Sequence, residues 1–439
     1  MLGYERRVVI TGLGLVTPLG DSPAAAWSNL VAGRGAVRPL TAFKTAGLPS
    51  SVGAEIGECD LKKYTLPRIN WSTLRKSRKY MARDIQLAVA AAQLAVADAA
   101  LGEGEVDPTR IGIDLGAGLI SSELDELAPA IVHAFTGESF DFQTWGRESI
   151  GMIEPIWLLK YLPNMLACHI SILLDCQGPS NTITEADASS NLAILEAARI
   201  IGRGKADVMI TGGADSKIHP LSLVRMALLH NMSSWRGDPA GACRPFDLER
   251  DGWVPGEGAG ILVLEEREHA LARGARIHGE LLGGGSGCDA YAPGGLDPHG
   301  AGVEIAVSAA LEDAALAPAA VGHYSAHGSA TRIGDLAEAR GIARVFGPKG
   351  VPVAAYKGYM GNLASGAGGV DLIASLLAAN HGLIPPVLNC DHPDPECEID
   401  VVQGAPRPCA NPTFVTANIT PLGQAAALVV RGNPAAGGP

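Results

Sequence analysis

Between Asn181 and Asp215 the chain sets out a turn, a helix, a glycine turn and a strand in one unbroken run, and few folds accommodate that order. Apolar residues recur at helical spacing over residues 191–201, Gly202-Arg203-Gly204 interrupts them, and the apolar run 208–211 ends in Gly212-Gly213. A helix delivered directly into a buried strand is the building unit of α/β proteins. A reactive group on the turn that opens this helix would sit at a helix N-terminus, where the backbone dipole favours negative charge. Aromatic residues make up only 5% of the chain, whereas glycine occurs 55 times, a composition suited to helices packed closely on a sheet.

The same alternation extends in both directions. Residues 7–11 predict a strand, with Gly12, Gly14 and Gly20 in the turn after it; residues 79–100 predict a long buried helix closed by Leu101-Gly102. Strand 111–118, helix 121–137 and an aromatic loop at 140–145 follow. A second series runs through strand 260–265, helix 267–273, strand 277–282, helix 301–315, a strand end at 324–327, helix 335–346, strand 353–356, helix 367–380 and strands 413–418 and 425–430. The similar order suggests a duplicated half, and 439 residues with 47% hydrophobic content suffice for two cores. The predicted division is residues 1–257, residues 258–432 and a disordered tail at 433–439.

A formal net charge of −12 argues against nucleic acid or an anionic membrane as a general partner. The first strand begins too early for a signal peptide, and no run of eighteen apolar residues occurs, so the expected location is the cytoplasm. The eight cysteines show no paired zinc-finger spacing, and Cys390, His392 and Cys397 are too few ligands, interrupted by prolines; no metal is expected.

Several longer motifs carry a family resemblance. FDLERDGWVPGEGAGILVLEE at 246–266 resembles a stretch of the β-ketoacyl-[acyl carrier protein] synthases, as do RRVVITGLGLVTPLG at 6–20, ADVMITGGAD at 206–215, SAHGSATRIGDLAEA at 325–339 and YKGYMGNLASGAGG at 356–369. The resemblance implies an α/β thiolase-like fold: two βαβαβαββ halves forming a five-layered α-β-α-β-α sandwich, usually dimeric. It also implies acyl substrates carried on the phosphopantetheine of an acyl carrier protein, with no further bound cofactor. In that family a cysteine and two histidines perform decarboxylative condensation, supported by a lysine.

Matched residue by residue, the cysteine position in ITEADASS holds Asp187, the first histidine is His327, the second position holds Asn362, and the lysine is Lys357. The phenylalanine of the family's glycine-rich gate is missing from TPLGQ at 420–424, while Thr331 and Gly423 fall at positions implied to bind substrate. A carboxylate is a weak nucleophile whose mixed anhydride hydrolyses readily, so Asp187 does not replace a thiolate that must hold an acyl chain. Other roles for it are a helix N-cap, or an acid–base pair with Glu185. Asn362 retains an amide donor for a thioester oxygen.

Three functions follow from the resemblance. One is a chain-length-factor-like subunit that pairs with an active ketosynthase. The second is a malonyl-thioester decarboxylase or acyltransferase using His327 and Asn362. The third is a non-enzymatic acyl-binding scaffold, and a homodimer is the alternative assembly. The basic run from Arg75 to Lys79 with Arg83 offers a dock for an acidic carrier protein, or a solvated helix start. Residues 153–174 match a family region at the dimer interface and tunnel end, and Arg250 and Asp251 are placed to pair across the glycine-rich motif.

Overall fold

The computed structural model describes residues 6–67, 69–229 and 232–434, with the backbone alone at Leu229. Its first half runs β1 (Val8–Val16), α1 (Arg83–Asp98), β2 (Ile111–Gly116), α2 (Met165–Leu174), β3 (Ser180–Ile183), α3 (Ser189–Gly202), β4 (Val208–Ser216), an inserted α4 (Pro220–Leu229) and β5 (Glu257–Glu266). The second half repeats the plan with β6 (Gly279–Cys288), α5 (Ala301–Asp313), β7 (His323–Ala326), α6 (Arg332–Phe346), β8 (Pro352–Ala355), α7 (Ala367–His381), β9 (Thr413–Ile419) and β10 (Gln424–Gly432).

Strand order makes the duplication explicit. Apart from a short edge strand, Asp400–Val401, that pairs with β8, the sheet reads β8-β7-β9-β10-β6 and then β1-β5-β4-β2-β3, so each of these strands occupies the place of its counterpart in the other half. Within each half the three outer strands are parallel and the two pairings nearer the centre antiparallel, and β1 joins β6 through Val8 with Leu281 and Ile10 with Gly279. Helices α3 and α7 lie between the two half-sheets, with α1 and α2 outside one and α5 and α6 outside the other. These are the five layers expected, and a separate apolar cluster fills each of the three sheet–helix spaces. Strand β5 hydrogen-bonds both β4 and β1, which sets it beside the strands of the first half.

Gly12 and Gly14 lie inside β1, not in a turn. A Cβ on Gly14 would come within 1.9 Å of the Ala91 oxygen and one on Gly12 within 2.2 Å of the Ala95 oxygen. Their absence of side chain lets the alanine-rich α1 rest directly on the strand. That helix begins at Arg83 because residues 78–80 form a separate 3₁₀ turn and Met81 is extended. The aromatic segment at 140–145 is a hairpin strand and a short helix, Phe142–Arg147, gathered around Phe140, whose ring packs against Phe135, Phe142 and Trp145 at 5.5, 5.0 and 5.7 Å.

Arg250 and Asp251 do not pair. Arg250 is buried against Asp394 at 2.7 Å and Asp335 at 3.6 Å, while Asp251 accepts from Ser233 and Ser234. Asn433, at the start of the tail, donates to the Ile277 carbonyl; residues 435–439 lie outside the described residues. Among the described residues no helix is long and apolar enough to cross a membrane, and no group of three or more His, Cys, Asp or Glu side chains is placed to hold a metal ion.

Candidate active site

The site forms where two elbows, one from each half, meet between the half-sheets. In the first, β3 ends at Ile183 and the chain turns sharply through Ala186, whose φ of +45° is unusual for a residue with a Cβ. A 3₁₀ turn over Ala186–Ala188 then leads into α3. Ser189 Oγ fastens the elbow by accepting from the Glu185 N–H and donating to the Ala186 carbonyl, both at 2.7 Å. The second elbow, after β8, repeats the construction: Ala364 also has φ +45°, and the 3₁₀ turn Ala364–Gly366 leads into α7. Ser365 Oγ donates to the Ala186 carbonyl at 3.0 Å and Ser190 Oγ to the Ser365 carbonyl, binding the two elbows together.

Asp187 is buried on the first elbow, and its Oδ1 accepts from Asn362 Nδ2 at 2.8 Å. Helix α3 starts at Ser189 with Ala188 in the cap position, and this Asp187 carboxylate oxygen meets the opposite half through Asn362. Asn362 accepts from the Ala364 N–H at 2.9 Å through its own oxygen, which fixes the amide orientation.

His327 follows β7. Its backbone N–H and that of Gly328 both donate to the Glu338 carboxyl, at 2.7 and 2.8 Å, anchoring the loop to α6. Burial pushes the Glu338 carboxyl up to about 8, partly offset by those two donors. Asn191 Nδ2 donates to Asn418 Oδ1 at 2.9 Å, so Asn418 presents its Nδ2 to Asp371 Oδ2 at 3.0 Å and to His327 Nδ1 at 3.3 Å. With Nδ1 as the acceptor, the neutral ring keeps Nε2–H as its donor. Burial, and then the Lys357 charge, hold His327 well below its ordinary pKa, so the ring is neutral near pH 7. Lys357 pairs with Asp371 at 3.3 Å, both buried. It is not on the cavity wall; its charge reaches His327 through space, and its partner Asp371 accepts from Asn418.

A cavity of about 670 Å³ opens beside these groups, lined by Asp187, His327, Asn362 and Thr331 among others. Thr331 also caps α6 by accepting from the Gly334 N–H at 3.1 Å. Gly423 is not brought to the cavity: it occupies the β9–β10 turn with φ +88°, and a Cβ there would come 2.1 Å from the Asp289 carboxylate. Thr420 and Pro421 form the wall where the gate was expected. Glu185 is not among the lining residues, so it forms no acid–base pair with Asp187 across the cavity; nor does the wall contain a cysteine, Cys176 lying beyond the C-terminus of α2. Sequence reasoning missed Asp215, Lys217 and Arg225, which also line the cavity, the first two as a buried ion pair at 2.6 Å. The apolar run that marked β4 stops at residue 211, but the strand continues to Ser216 and carries the charges inward.

Away from the cavity, Arg75, Arg78, Lys79, Arg83 and Lys160 line a separate surface groove. Arg83 is bound to Glu257 at 2.8 and 2.9 Å, so it serves the fold, leaving its neighbours as the accessible charge.

Two repeated halves whose elbows meet over a histidine and a buried amide define the ketosynthase branch of the thiolase-like fold. The chain belongs to the β-ketoacyl synthase family: residues 5–270 match the model of its N-terminal domain and residues 278–391 that of its C-terminal domain. It is 35% identical to the 3-oxoacyl-[acyl-carrier-protein] synthase 2 of Synechocystis sp. over 92% of both chains. Among solved structures it is similar to the ishigamide ketosynthase/chain length factor, with TM-score 0.84 and 29% identity over 98% of this chain and 99% of that one. A type II polyketide synthase acyl-carrier protein complex with its ketosynthase, AntDE:AntF, contains a similar chain, with TM-score 0.82 and 27% identity over 98% and 100%.

Proposed function

We propose that this protein is a chain-length-factor-like subunit, pairing with an active β-ketoacyl synthase in polyketide or fatty acid biosynthesis and shaping its partner's acyl tunnel. The observation that carries this reading is Asp187 on the nucleophile elbow, hydrogen-bonded to Asn362 in place of a free thiolate. A carboxylate so placed does not load an acyl chain as a stable thioester does, whereas the surrounding scaffold is intact. The surface supports the partner. Edge strand β3 pairs only with β2, and Ile172 on the helix packed against it is 72% exposed; Val132, Phe142 and Leu158 are also exposed, at 68%, 79% and 53%. The Arg75–Lys79 groove suits an acidic carrier protein, and the reading places the work in the cytoplasm.

Co-expression with a ketosynthase encoded beside this gene, followed by size-exclusion chromatography and product analysis, tests the reading. A mixed dimer whose product length changes with this subunit is expected. Persistent homodimers with no effect on the partner's product refute it.

A second reading rests on one further observation: His327 Nε2–H and the remaining Asn362 N–H belong to groups on the same cavity wall. Together they suit stabilisation of an enolate left by decarboxylation of a malonyl thioester. Turnover of malonyl carrier protein by the pure protein, lost in His327→Ala, is the expected sign; no turnover removes this reading.

A further inference from the structure

Helix α4 buries Leu223 but leaves other leucines and its valine toward solvent. Leu221, Val224 and Leu228 point outward, 41%, 40% and 80% exposed, while Arg225 and Met226 face the cavity. A surface helix ordinarily buries its apolar stripe and leaves its cations in water. The other charged groups of the cavity have partners: Lys217 is paired with Asp215, Asp187 accepts from Asn362, and His327 is neutral. Arg225 is half-buried, and among the described residues no hydrogen bond or ion pair reaches its guanidinium. Its planar guanidinium fork matches an oxyanion.

We propose that Arg225 is the anion-recognising residue of this cavity, selecting an acyl thioester that carries a carboxylate at the end remote from the thioester. The inference rests on the reading that the cavity receives a thioester-bound acyl group. A wholly apolar chain in the same space would leave the guanidinium poorly solvated and unpaired, whereas a terminal carboxylate gives it two parallel charge-assisted bonds. The wall elsewhere is largely apolar, with Trp253, Leu296, Ile333 and Pro421 available to hold the methylenes between the two ends.

The test compares thioesters of pantetheine without its phosphate, so that the acyl terminus is the guest's only anion. Glutaryl-pantetheine and the uncharged valeryl-pantetheine, equal in carbon count, are titrated by calorimetry into the full chain, alone or with whichever partner it purifies. The expected result is at least tenfold tighter binding of the glutaryl compound, reduced below threefold in Arg225→Met and partly recovered in Arg225→Lys. Far-UV circular dichroism and thermal melts matching the unaltered protein show that the variants fold. Equal affinity for the two thioesters, failure of both to bind, or a preference that survives Arg225→Met overturns the proposal. So does an Arg225-dependent gain seen only when the pantetheine phosphate is restored, since the anion is then the carrier arm. Partner pairing is scored separately by co-elution, so either idea can fail alone.

Discussion

Replacing Lys357 by methionine removes the one cation that, among the described residues, pairs with Asp371, while keeping most of the side-chain volume. The two groups are 2% and 4% exposed and 3.3 Å apart. With an effective dielectric constant of ~20, attraction at that separation is about 5 kcal/mol, and breaking a buried pair from one side costs roughly 3–5 kcal/mol because a charge is stranded. Removing both partners is far cheaper, so Lys357→Met/Asp371→Leu is expected to recover most of that loss, less about 1 kcal/mol for the bond Asn418 gives to Asp371. Urea unfolding followed by circular dichroism measures all three variants and gives the coupling directly. The pH dependence has a definite sign. Burial raises the Asp371 carboxyl above its unfolded value and Lys357 opposes that shift, so removing the lysine raises it further. A raised carboxyl pKa means the folded state holds the proton more tightly, so stability falls as pH rises from the unfolded pKa through the folded one. The deficit of Lys357→Met must therefore shrink as pH is lowered from 8 toward 5. A neutral single variant, a double variant as weak as the sum of the singles, or a deficit that grows on acidification would refute the reasoning.

Asn362→Leu deprives the buried Asp187 carboxylate of its amide donor and is expected to cost about 1.5–3 kcal/mol in the same unfolding assay. Gly14→Ala places a methyl 1.9 Å from the Ala91 oxygen; forcing α1 off β1 should destabilise by about 1–3 kcal/mol or leave the protein insoluble. Asp187→Cys puts a thiol on the elbow, so intact-mass spectrometry after brief iodoacetamide treatment should show one more adduct than the unaltered chain. Val132→Glu with Phe142→Glu should leave the melting temperature within a degree or two yet abolish co-elution with a ketosynthase partner, since both side chains project into solvent.

Much of this architecture was legible because hydrophobic periodicity depends on local burial. The strands and helices of both halves lie within a few residues of where the pattern places them, and the repeated order predicted the duplication. Misplacements arise where tertiary contact overrules local signal. Gly12 and Gly14 resemble a turn, yet they are glycines because a helix presses on a strand. That β5 turns back to pair with β1 is likewise a tertiary fact with no local signal. At the site, motif register located Asp187, His327, Asn362 and Lys357, but only coordinates show that Lys357 is withheld from the cavity and that Gly423 answers to Asp289. Arg225 gave no signal in the sequence, since a lone arginine in a leucine-rich helix ordinarily faces water.

The palindromic strand order carries a consequence for how such a site changes. Asp187 and Asn362 come from the corresponding elbow regions of the two halves, so their hydrogen bond joins one half to the other. A half-length ancestor would have needed two copies of itself to enclose the cavity, each supplying one elbow. In the fused chain the copies are free to diverge, but only in concert: a carboxylate on one side is tolerated because the other offers an amide.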